Sequence, residues 1–81
     1  MIKKTMRDTV IEVLKSHFGQ DKVYEDNTHL IDDLNGDEID VVDVIMKIES
    51  ELGISIPEEE TFDIMTVSQL LEVVGRHVGS D

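Results

Sequence analysis

Three histidines, five serines and nineteen acids are the side chains here able to do chemistry, and cysteine is absent. His17, His29 and His77 fall on different expected elements, and no pair has the spacing of metal ligands. Solvated histidines are therefore expected, not a zinc site. The serines Ser16, Ser50, Ser55, Ser68 and Ser80 sit in no Gly-x-Ser-x-Gly elbow, so a catalytic triad has no foundation. Asp33-Leu34-Asn35-Gly36 invites comparison with a calcium loop. With Gly36 at loop position six, Ile31 and Val42 would occupy the first and last ligand positions, and neither offers an oxygen ligand there. Paired carboxylates abound, yet general acid–base work needs a pocket that perturbs them, and nothing in the sequence builds one. No enzyme is expected, and no metal site.

Charge distribution says more than its total of −12. Residues 1–31 hold five acids and five bases, whereas residues 32–63 hold twelve acids and only Lys47 as a base. A segment of that charge repels nucleic acid and anionic lipid, whose binding depends on Lys/Arg clusters. It attracts basic protein surfaces or divalent cations instead, the latter loosely and without dedicated geometry. The absence of cysteine fits a reducing compartment. No apolar run reaches the length of a membrane span, and the N-terminus reads as no signal peptide. A cytoplasmic protein that inserts into no membrane is expected, in one domain over residues 1–81 and as a monomer.

The elements that must position these residues read as helices. Met6, Val10, Leu14 and Phe18 recur every four residues, widened by Ile11 and Val13, which predicts a helix from Thr5 to Phe18 stopped by Gly19. Residues 19–37 form a long loop pinned by Val23, Tyr24, Leu30, Ile31 and Leu34, and loops of that length tend to be functional. A second helix is expected over Glu38–Leu52, capped by Asp37, with Asp40 as a weak capping box and Gly53 after its end. Ile39, Val42, Ile45, Ile48 and Leu52 are its expected inward stripe, with Val41, Val44 and Met46 spreading apolar surface further round. Pro57 opens a single turn over Glu58–Asp63. Thr66 caps a last helix whose stripe is Val67, Leu70, Leu71, Val74 and Val78, ended by Gly79. Val23-Tyr24 and Ile54-Ser55-Ile56 are too short to pair as strands. The architecture is all-α: three longer helices, one short helix and a long first loop.

Taken in order, Leu30-Ile31-Asp32-Asp33-Leu34, Asp37-Glu38-Ile39-Asp40-Val41-Val42-Asp43, Ile45-Met46, Ile56-Pro57-Glu58-Glu59-Glu60 and Thr66-Val67 resemble the acyl carrier protein family. The resemblance runs from Leu30 to Val74 and implies a four-helix bundle that shuttles acyl chains as thioesters between enzymes of fatty-acid or polyketide synthesis. It further implies an Asp-Ser-Leu motif opening the second helix, whose serine carries 4′-phosphopantetheine. Here that tripeptide is Asp37-Glu38-Ile39. A carboxylate on the same phosphate would be a mixed anhydride, which water hydrolyses, and Ser50 lies some three turns further along. Glu38 is nonetheless compatible with folding, since an acid in a helix's first turn is stabilised by about 0.3–1 kcal/mol.

By the same resemblance Asp37, Asp40, Asp43, Glu49 and Glu51 would dock against basic patches of synthesis enzymes, beside the apolar contacts Ile39, Val42 and Met46. Ser50 stands where an acid is usual, and Lys47 adds a base. Leu34, Ile45, Ile48, Ile56, Thr61 and Ile64 would line an acyl pocket. The expected function is a carrier-protein-like interaction module of lipid or polyketide metabolism without the prosthetic group, so no cofactor is expected. Its rivals are a true carrier whose serine has been replaced, and a regulatory adaptor for a basic protein surface.

Overall fold

Helix starts in this chain are written by oxygen-bearing side chains. Thr5, Asp37 and Thr66 each accept a hydrogen bond from the backbone three residues on, and Asp8, Asp40 and Gln69 reach back to the cap. All three are complete capping boxes, so Asp40 is a full partner of Asp37 and not a weak imitation. The computed structural model describes residues 5–78, and among them are four helices. They are α1 (Met6–Phe18), α2 (Glu38–Leu52), α3 (Glu58–Thr61) and α4 (Val67–His77). α2 ends where sequence reasoning puts it, because Gly53 adopts the left-handed conformation (φ 67°) that stops a helix. α3 is shorter than the expected turn and ends at Thr61. Gly79, the expected end of α4, lies outside the described residues.

α1 packs mainly on α2 and less extensively on α4. Val10 and Leu14, Val44 and Ile48, and Val67, Leu70 and Val74 are fully buried between them. The core is aliphatic: Phe18 and Tyr24 pack at its edge, and Phe62 is exposed. Of the expected stripe of α2, Ile45 and Ile48 are buried and Leu52 packs against the core, but Ile39 and Val42 face outward, and Val41 and Val44 complete the inward face. Each i+3 step turns about 300°, so the three steps from Ile39 to Ile48 drift half a turn round the helix. On α4, Val73 joins the buried face, while Leu71 and, just past the helix end, Val78 are only half-buried.

The long loop is fastened at both ends. Tyr24 Oη lies 2.6 Å from the Gly19 carbonyl oxygen, just past α1. Leu30 and Leu34 enter the core, but Val23 is exposed and pins nothing. The amides of Val67 and Ser68 donate to the carbonyls of Thr28 and Asp26, and that of Leu30 to Met65. The first two amides of α4, which no helix can satisfy internally, are thus satisfied by the loop. A side chain at Gly36 would stand 2.8 Å from the Leu30 carbonyl oxygen and 2.9 Å from the Phe18 ring, so this approach needs a glycine.

Candidate functional site

The start of α2 brings the candidate site together. Asp37 caps, and Glu38 follows as the first helical residue, exposed and with no side-chain partner among the described residues. Its carboxylate lies at the positive end of the helix. Below it Ile39, Val42 and Met46 form one outward stripe; Ile39 is 70% and Met46 58% exposed. Large aliphatic side chains held in water on one helix face are the usual mark of a contact surface.

Beside this stripe runs a groove of about 200 Å³ between α2, α3 and the link to α4. Val41 and Val42 line it from α2, Thr61, Phe62, Ile64 and Met65 from α3 and the link after it, and Ile31 from the long loop. Glu38 and Glu58 stand among these apolar walls. Of the six expected pocket residues, Thr61 and Ile64 are found here. Leu34, Ile45, Ile48 and Ile56 are buried in the core and do not line the groove. Ile31, Val41, Phe62 and Met65 were missed as wall residues. Phe62 offered a signal, being one of three aromatics and the only one outside an apolar stripe or loop anchor.

The expected docking acids divide by what they hold. Glu49 Oε2 accepts the Ile56 amide at 2.7 Å, tying the end of α2 to the link before α3. Asp37 Oδ1 accepts the Asp40 amide, and Asp40 Oδ2 accepts that of Asp37, both at 3.0 Å. The other oxygen of Asp40 is 2.8 Å from His17 Nε2 on α1. The His17 hydrogen bond, with that from the Asp37 backbone, holds the Asp40 carboxyl below its ordinary value. Asp43 and Glu51 are exposed and unpartnered among the described residues. Glu51, however, lies in the furrow between α1 and α2 with Ser16 and Ser50, away from the apolar stripe. Glu38 and Asp43 are therefore the free carboxylates flanking Ile39, Val42 and Met46.

Residues 4–74 match the protein family described as "Phosphopantetheine attachment site". Over 66 residues the chain is 36% identical to the acyl carrier proteins of Rickettsia canadensis (strain McKiel) and Rickettsia rickettsii (strain Iowa). That alignment covers 80% of this chain and 77% of each relative. The chain belongs to the acyl carrier protein family. It is a carrier by family and not a catalyst, with the helical architecture expected of one.

Within this acyl carrier fold the histidines are partnered, contrary to the solvated state expected of them. His17 joins α1 to the first turn of α2 through Asp40, and His77 joins α4 to α3 through Glu60 at 2.9 Å. His29 turns its ring onto the backbone of its own loop. Among the described residues no group of three or more His, Asp or Glu is placed to hold a metal ion, and no helix is long and apolar enough to cross a membrane.

Proposed function

We propose that this chain is a docking module of fatty-acid or polyketide synthesis that works in the cytoplasm as a single-domain monomer and carries no phosphopantetheine. The observation that supports the reading is Glu38, exposed in the first turn of α2, where the resemblance of Asp37-Glu38-Ile39 to the family's Asp-Ser-Leu motif would put the attachment serine. A phosphodiester tether needs a hydroxyl there, and a carboxylate does not fit that role. What remains is recognition. Ile39, Val42 and Met46 offer apolar contact, and Glu38 and Asp43 offer charge to Lys/Arg patches of synthesis enzymes. Such charges act chiefly on encounter rate and specificity, while buried apolar anchors supply most of the affinity.

The experiment is to incubate the protein with coenzyme A and a broad-specificity phosphopantetheinyl transferase, then weigh it. Unchanged mass for the native chain and one added phosphopantetheine for Glu38→Ser are expected. A mass gain by the native chain would overturn the reading. A Glu38→Ser variant that stays unmodified would argue that the surface no longer suits a carrier's partners and would favour the adaptor.

A further inference from the structure

His29 holds the turn after it by accepting hydrogen bonds. Its ring Nδ1 is 3.2 Å from the Ile31 amide nitrogen and 3.1 Å from that of Asp32, and both amides donate to it. Its own amide donates to Asp33 Oδ2 at 2.7 Å, and its carbonyl accepts from Asp33 and Leu34. The ring thus does for residues 30–34 what a capping side chain does for a helix. A ring nitrogen that accepts must keep its lone pair, so this arrangement requires a neutral imidazole with its proton on Nε2.

The other two histidines have no such requirement. His17 and His77 each face a carboxylate oxygen through Nε2. An Nε2–H donates there whether the ring is neutral or charged. Of the three, His29 alone makes contacts that protonation destroys.

We propose that His29 is a pH-sensitive latch on the turn that presents Ile31 to the groove beside Glu38: neutral, its Nδ1 caps the turn; protonated, it releases the Ile31 and Asp32 amides and turns to the Asp32 carboxylate. The proton comes from solvent onto Nδ1, and the ring side chain is 28% exposed, so water reaches it. Asp32 Oδ2 already lies 3.9 Å from Nδ1 and is ready to accept from the imidazolium. The facing groups do not compete. Asp33 is engaged by the His29 amide, Met65-Thr66-Val67 across the seam is uncharged, and Asp26 on the preceding loop is paired with Arg7 at 3.0 Å. Leu30 and Leu34 stay buried on either side, which confines the change to the turn. The residue that moves with it is Ile31, half-buried and part of the groove wall. Acidification therefore loosens one wall of the groove while the His17 and His77 ties persist. The inference rests on the turn's geometry and is independent of what docks on α2.

The test is amide hydrogen exchange by NMR across the general histidine range, about pH 5.5–7.5, with exchange expressed as protection factors. Ile31 and Asp32 should lose about tenfold or more of their protection on acidification, and the His29 ring nitrogen shifts should report an unprotonated Nδ1 at the upper pH. His29→Asn keeps an acceptor, Oδ1, at the same distance along the side chain and does not titrate, so its turn should stay protected at both ends of the range. His17→Gln should leave the Ile31 and Asp32 response intact and supplies the control if His29→Asn does not fold. A proton on Nδ1 at the upper pH would overturn the latch. So would equal loss of protection in His29→Asn, or loss of the response in His17→Gln.

Discussion

The seam where residues 24–34 meet the start of α4 and the outer face of α2 both combine acids with apolar side chains, and use them in opposite ways. In the seam the polar groups are matched. The Thr28 hydroxyl accepts the Glu25 amide at 2.9 Å, Thr28 and Asp26 carbonyls receive the α4 amides, and Gln69 Oε1 accepts from Met65 and Thr66. On the outer face Glu38 and Asp43 hold nothing among the described residues, and Ile39, Val42 and Met46 stand in water. Burying unmatched polar groups is costly, so a fold closes where every group finds a partner. It leaves for others the surface where groups do not.

The sharpest way to break that contrast is to cut into each region equally. Leu30 is 1% exposed in the seam and Phe62 is 72% exposed beside α2. Leu30→Ala should cost about 2–5 kcal/mol, a fall in Tm of roughly 10 °C or more for a domain this small. Phe62→Ala should move the midpoint little. Comparable losses by thermal melting would mean that Phe62 belongs to the structural half of the molecule.

Binding should respond the other way. Met46→Ala should weaken association with a carrier-recognising synthase by about tenfold or more, the loss typical of a buried apolar anchor, with Tm nearly unchanged. Titration calorimetry measures this, and unchanged affinity would remove the stripe from the interface. A smaller effect is expected from the caps. Thr66→Ala should destabilise by about 1 kcal/mol, whereas Glu38→Gln, which gives up only a charge at a helix end, should cost about 0.3–1 kcal/mol. Denaturant melts of the two variants would sharpen the comparison, and a larger loss from Glu38→Gln would reverse it.

Where the sequence was legible, local chemistry decided the outcome. Asp37 and Gly53 bound α2 because a carboxylate oxygen and a left-handed glycine act within one turn of themselves. Family resemblance singled out the residues beside Glu38, of which Ile39, Val42 and Met46 share one exposed face. What the sequence hid was partnership at a distance. Nothing near His17 announces Asp40, 23 residues away, and nothing near Glu49 announces the Ile56 amide. The groove's walls were hidden for a related reason: Leu34, Ile45, Ile48 and Ile56 pack in the core, and the surface residues Phe62 and Met65 line the groove.

Asp40 and Asp43 carry the comparison down to two acids one turn apart on one helix. Sequence alone gives both the same docking role, yet Asp40 holds the Asp37 amide and His17 while Asp43 has no partner among the described residues. Asp40→Asn should therefore lower Tm at pH 7, and Asp43→Asn should not. The pH dependence separates a specific bond from general charge relief. The Asp40 carboxyl titrates below its ordinary value of 3.8 because the ionised form accepts those hydrogen bonds, chiefly that from His17. A carboxyl lowered by folding adds stability that is present above its unfolded value and lost as pH falls through the folded one. The gap between the native chain and Asp40→Asn should accordingly be full at pH 7 and close as pH drops below 3.8. Removing any acid from so negative a segment also relieves repulsion, which raises Tm for both variants and is screened by salt. A gap that persists once Asp40 is protonated would show that the ionised carboxylate's tie to His17 does not set it, and an Asp40→Asn variant that melts above the native chain at pH 7 and loses that advantage with added salt would show that charge number outweighs the tie.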